Sequence, residues 1–229
     1  MVSIEHVNSE IERARKQYEY IKHRLSEIND EEDLTKLHLE LITCHATMAS
    51  QYSLWGVCIK EIPSIIQEFL KYARPLSQNK DCLQQICNLT SNISGALTGQ
   101  KRLSLTMYEF EFDIRKRSED NSNLNKFLCN TLEDSISIFR KNIELADKGL
   151  LSEILPIKYT KHDPFEWTKE WDNLIDEVDA KVYENLGIPI ERYLGFCHTF
   201  WEERKKVFKE LYGIDWRTPA EMNPEAMFD

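Results

Sequence analysis

The sequence predicts an all-α fold: an antiparallel bundle of long helices with coiled-coil-like packing, followed by a smaller helical C-terminal module and an extended tail. Three observations predict it. Apolar residues recur at alternating three- and four-residue steps over the first two-thirds of the chain. Gly and Pro number only 7 each in 229 residues, too few for the many tight turns of β-rich or Rossmann-type folds. Hydrophobic residues make up 41% and charged residues 30%, a balance that supports a buried core.

The first helix starts after Ser3, a partial cap signal, and carries Ile4, Val7, Ile11, Ala14, Tyr18, Ile21, Leu25 and Ile28. That spacing is a heptad seam with a period of about 3.5 residues. Asn29-Asp30 provides the turn and the next cap. The seam restarts at Leu34 and runs through Leu41, Cys44, Met48, Trp55, Ile62, Phe69 and Leu76. Because the register survives Gly56 and Pro63, the spacing predicts one helix of about 65 Å, kinked near 59–63 and ended by Arg74-Pro75. A third helix from Asp81 to Arg117 should cross closely or break at Ser94–Gly99, where residues are small. The polar loop 118–123 holds a ready N-cap for the fourth helix, Leu124 to Leu150.

Periodicity is lost at 156–164, read as a linker between a bundle at 1–155 and an aromatic-rich module at 165–229. A short helix carries Trp167, Trp171, Ile175, Val178 and Val182; Pro189 then suits the first turn of a last helix reaching Leu211. Four of the five tryptophans follow residue 160.

Composition narrows function. The net charge is −10, with 17 acidic against 10 basic residues after position 150, and this disfavours nucleic-acid or anionic-membrane partners. No stretch reaches the roughly 18 apolar residues of a membrane span, and the start of the chain carries no secretory h-region. The six cysteines then read as reduced thiols in a cytoplasmic protein. No cofactor is expected. Phosphate loops and nucleophile elbows are absent, and Glu19 and His23 are one residue too far apart for a di-iron Glu-x-x-His motif.

Several residues are candidates for chemistry. Glu31, His38 and His45 repeat at seven-residue intervals beside Cys44, all donor types that suit zinc. Successive members lie roughly 10 Å apart along a helix, too far to share an ion, so no metal site is expected. The basic cluster Arg115-Lys116-Arg117, with Lys101-Arg102 before it, reads as a solvated helix terminus. The segment Arg192-Tyr193-Leu194-Gly195-Phe196-Cys197-His198 resembles the Arg/His motif of HEPN-type helical ribonucleases. The resemblance implies an alternative function as a ribonuclease, with Arg192 stabilising phosphate charge and His198 acting as acid or base. Tyr193 stands where that family often has a polar residue, and a six-residue spacing puts the two side chains about 240° apart on an ideal helix.

The tail carries Trp216, Met222, Met227 and Phe228 among prolines, which is unlike a solvated tail. With Trp167 and Trp201, these residues form the expected partner-binding surface. They docked either on the chain's own helices or on a partner in the two readings the sequence allows. The favoured function is therefore a non-enzymatic assembly or adaptor protein whose partner is another protein, a further copy of itself, or both.

Overall fold

The computed structural model describes residues 4–27, 30–97, 99–118, 120–187 and 193–228. Expectations placed on Ser3, Ile28, Asn29, Pro189 and Arg192, and on the side chains of Ile4, Val7 and Glu31, lie outside these residues. Among the described residues the chain is all-helical, and the one strand-like feature is an isolated pairing of Ile157 with Thr160.

Helix α1 (Ile4–Leu25) lies on α2 (Glu31–Trp55), burying Ile11 and Ile21 from its seam. Asp30 accepts the Asp33 amide at 3.1 Å and so caps α2. Arg15 ties α1 down by donating to the Tyr52 hydroxyl (2.7 Å) and to Glu61 (2.8 Å).

The expected single long second helix is corrected. The chain leaves α2 at Trp55, passes Gly56 (φ 69°) and Cys58 (φ 51°) in the left-handed region, and makes a 3-10 turn at Ile59–Glu61. Helix α3 (Ile62–Leu76) then packs against α2 instead of extending it. Pro63 sits in the first turn of α3, where its missing N–H breaks no helical hydrogen bond. The apolar register continued because α3 buries the same kind of stripe, not because the backbone was continuous. Nor does Arg74-Pro75 end the helix: Pro75 lies inside the last turn and Ser77 is the C-cap.

The third helix breaks where its small residues predicted. Helix α4 (Lys80–Ser94), capped by Asn79 on the Asp81 amide at 3.0 Å, packs on α2 and on α5 (Lys101–Arg117). Helix α6 (Asn123–Asp147) packs on α5 and is capped from the polar loop, where the Ser122 hydroxyl accepts the Asn125 amide at 3.1 Å. The segment after it is ordered by hydrogen bonds: Asn142 accepts from and donates to the Leu155 backbone, both at 2.8 Å. Ile157 and Thr160 exchange backbone bonds of 2.9 Å, and a 3-10 turn follows at Pro164–Trp167.

Helix α7 (Lys169–Leu186) starts at Thr168, whose hydroxyl accepts the Trp171 amide at 3.1 Å. The last long helix, α8 (Phe196–Tyr212), begins after Gly195 (φ 80°), so residues 193–195 do not belong to it as the sequence suggested. Gly213 (φ 69°) closes α8 as an αL cap, Gly213 N donating to Lys209 O at 3.1 Å, and Ile214 N donates to Phe208 O at 3.3 Å. The tail is not wholly extended either. Thr218 and Glu221 form a reciprocal capping box, with Thr218 N to Glu221 Oε2 at 2.8 Å, around the short helix α9 (Pro219–Met222).

One hydrophobic cluster runs through the molecule from Ile11 and Tyr52 to Ile175, Phe208 and Trp216. Two glycines let α7 approach the rest. A Cβ on Gly56 would lie 2.2 Å from Tyr183 Cδ1, and one on Gly99 (φ 147°) would lie 3.0 Å from Ile175 Cγ1. Gly56→Ala therefore combines a steric clash with left-handed strain and should cost about 3 kcal/mol in urea unfolding. Gly187→Ala (φ 81°, no atom within 4 Å of its Cβ) should cost only about 1 kcal/mol.

Candidate functional site

Helix α7 carries a buried apolar stripe, Trp171, Ile175, Val178 and Val182, edged by Asp172, Asp176 and Asp179. These carboxylates, at four- and three-residue steps, share one side of the helix. Asp172 accepts the Lys101 amide and the Arg102 guanidinium, both at 2.7 Å. A carboxylate thus faces the N-terminus of α5, where the helix dipole favours negative charge. Beside it the Trp171 indole donates to Gly99 O at 2.9 Å. Asp176 accepts from the Gln100 amide, and burial pushes its carboxyl up to about 7, helped by the charges of Asp179 and Asp172.

Asp179 and Arg204 of α8 form a two-pronged ion pair with bonds of 2.8 Å each. Burial pushes the Asp179 carboxyl up to about 6 while Arg204 pulls it down, so the pair is ionised at neutral pH. The guanidinium lies 4.8 Å from the Phe200 ring centroid, 5.5 Å from Trp216 and 5.9 Å from Trp171.

Glu166 gathers a second buried group. Its carboxylate meets Lys101 Nζ at 3.0 Å, His162 Nδ1 at 3.1 Å and the Trp216 indole at 3.2 Å. Burial pushes this carboxyl up, but Lys101 and His162 outweigh it and hold it well below the usual carboxylate range. Asp163 accepts from the 3-10 turn at Phe165 N (2.9 Å) and from Arg217 Nε (2.9 Å).

The basic residues are not a solvated terminus, as the sequence suggested. The Lys101 side chain is 12% exposed; Arg115 is spent on Glu111 (2.9 Å) and Ser91 (2.7 Å), and Arg117 on Ser77 O (2.9 Å). Lys116 alone of the triplet stays exposed, over the Phe112 ring at 4.9 Å. The reason is that α4, α6 and α7 each bring an acceptor to α5, contacts between segments far apart in sequence.

The aromatic residues divide in two. Trp167 and Trp216 are core: Trp167 packs edge-on to Phe139 at 5.0 Å, and Trp216 lies 5.9 Å from Trp171. Trp201 is half-buried and Phe228 sits edge-on to it at 5.2 Å, so the tail closes on its own chain. Exposed His198 accompanies them, its Nε2 3.2 Å from Phe228 O, while Met222 is half-buried and Met227 is 98% exposed. A groove of 320 Å³ opens beside Trp201, walled by Tyr183, Tyr193, Phe196, Cys197, Phe200 and Arg204. Leu194, next in sequence to Tyr193, is 84% exposed.

Elsewhere His38 and His45 flank the Tyr72 ring at 5.1 and 6.4 Å while Cys44 is buried in the α1–α2 contact. Among the described residues no group of three or more His, Cys, Asp or Glu is placed to hold a metal ion. The Lys101–Glu166 and Asp179–Arg204 pairs escaped sequence reading. Their only signal is the Asp spacing on α7, and it names no partner. The chain matches no family model, no curated protein and no solved structure.

Removing Arg204 leaves Asp179 buried and unpaired, so Arg204→Ala should cost about 3–5 kcal/mol in denaturant unfolding. Asp176→Asn should raise Tm at about pH 8, where the wild-type carboxylate is charged against burial. Because the folded pKa is above the unfolded one, wild type gains stability as pH falls through about 7, and the variant's advantage should vanish by about pH 4.

Proposed function

We propose that the protein is a non-enzymatic assembly or adaptor protein, with residues 1–155 as scaffold and the surface of α8 and the tail as its protein-binding face. The observation that carries this reading is the aromatic groove beside Trp201, with Tyr193, Leu194 and Met227 exposed around it. Interface cores are enriched in aromatic side chains, Met and Arg, and a ring-lined groove accepts an apolar anchor side chain from a partner. Arg204 on its wall is already bound to Asp179, so the groove offers shape and apolar area instead of a free charge.

Trp216 contributes from the core, by packing on Trp171 of α7 and Phe208 of α8, the helices that present the groove. Self-association belongs to the same reading. Leu124 (66% exposed) and Phe127 (65%) on α6 give the scaffold an apolar face of its own. No helix among the described residues is long and apolar enough to cross a membrane. Six free thiols suit a reducing compartment such as the cytoplasm, and the charge of −10 favours protein over nucleic-acid partners.

The test compares wild type with Trp201→Ala and with a Leu124→Lys/Phe127→Lys double variant. Light scattering across a concentration series reads self-association, and immobilised protein reads partner capture. Loss of a central aromatic anchor should weaken partner capture by about 30-fold. A strictly monomeric wild type that retains the same proteins as Trp201→Ala would overturn the proposal.

A further inference from the structure

His45 lies at the corner where α1, α2 and α3 meet, 1% exposed, and neither ring nitrogen has a hydrogen-bond partner among the described residues. A buried polar group without a partner is rare, and this one is walled by rings. Tyr18 of α1 stands 5.3 Å away on one side and Tyr72 of α3 6.4 Å away on the other. Those rings could stabilise an imidazolium through their faces, but each already holds a lysine. Lys22 Nζ is 5.1 Å from the Tyr18 centroid, and Lys71 Nζ is 5.1 Å from that of Tyr72.

A proton on His45 would thus meet Lys22 from α1 and Lys71 from α3, with no acceptor in reach. On its own helix the neighbours are His38, which shares the Tyr72 ring, and the Cys44 thiol. Glu68 is the acid whose charge favours the proton, and it is hydrogen-bonded to Lys71 at 3.3 Å. The corner is also a small unit. Under the C-terminal half of α1, Ile21, Leu37, Leu41 and Cys44 form a buried cluster separate from the main core, to which Ile11 of the first half belongs. A minor cluster under a peripheral helix is the kind of region that opens locally without global unfolding.

We propose that the C-terminal half of α1 is a proton-released cover: protonation of His45 detaches that half from α2 and α3 and uncovers Leu37, Leu41 and Tyr72, while the first half, held by Ile11 and Arg15, and the rest of the fold stay closed. Burial pushes the His45 imidazole down to about 4, Glu68 opposing and Lys22 and Lys71 adding to the shift. Burial also lowers His38. A closed-state value below that of an exposed histidine, about 6.5, means the corner holds full strength above that pH. Strength is lost as pH falls from about 6.5 to about 4, then levels off. The α7 junction responds oppositely. Its buried Asp176 carboxyl is raised to about 7, so acid relieves that charge.

Amide hydrogen exchange read by mass spectrometry at about pH 7.5 and about pH 4.5, corrected for the intrinsic chemical rate, tests this selectivity. Protection of the C-terminal half of α1 in wild type should fall on the order of 100-fold, while α7 keeps its protection. In His45→Leu the α1 change should shrink to a few-fold. An NMR titration of the His45 ring in wild type needs no variant and should give a midpoint near 4. A midpoint at or above about 6.5, an α1 protection unchanged by acid, or a loss that persists in His45→Leu would each overturn the proposal.

Discussion

The fold depends on the seating of α7 against two turns of the preceding helices. Tyr183 lies on Gly56, where α2 gives way to α3, and Trp171 and Ile175 lie on Gly99, where the chain enters α5. Both turns need backbone freedom that only glycine supplies with so little strain, and both need the absence of a Cβ. The same helix end then supplies Asp172 to the first amide of α5. Apolar contact and charge act on one joint, so neither half of the contact is independent of the other.

The chain is acidic overall, yet several of its charges lie inside. Glu166, Asp179 and Glu111 are buried with Lys101, Arg204 and Arg115 as partners. Such pairs add little net stability over apolar side chains of similar size, because desolvation cancels most of the attraction. Their stronger effect is against wrong arrangements, since any register that separates a pair strands a buried charge. Trp216 shows this at the tail, where its indole must meet Glu166 while its rings stack into the Trp171–Phe208 group. The tail is thereby fixed in place up to Thr218, and its apolar end reaches Trp201 with Met227 still in solvent.

Two surfaces of different character result. At the α8 end, rings are open to solvent beside charges that are already neutralised, which suits apolar docking. At the α1 end, the rings are closed over a histidine without a hydrogen-bond partner, which suits opening. Acid acts on the second and spares the joint made by α7, because burial shifts histidine and carboxyl pKa values in opposite directions.

The helical class and the break after Ser94 were legible in the sequence, because hydrophobic period and runs of small residues are local properties. The turn at Gly56 was hidden by an apolar register that persisted through it, since periodicity reports which face is buried and not which helix buries it. Lys101 and Arg115 looked solvated because Glu166 and Ser91, which hold them in the fold, lie on other elements. The sequence singled out the tail aromatics, but only the tertiary structure divided them into core (Trp167, Trp216) and surface (Trp201, Met227, Phe228). Burial is a property of what packs against a residue, and the packing partners here are distant in sequence: Phe139 for Trp167, Trp171 for Trp216 and Phe228 for Trp201.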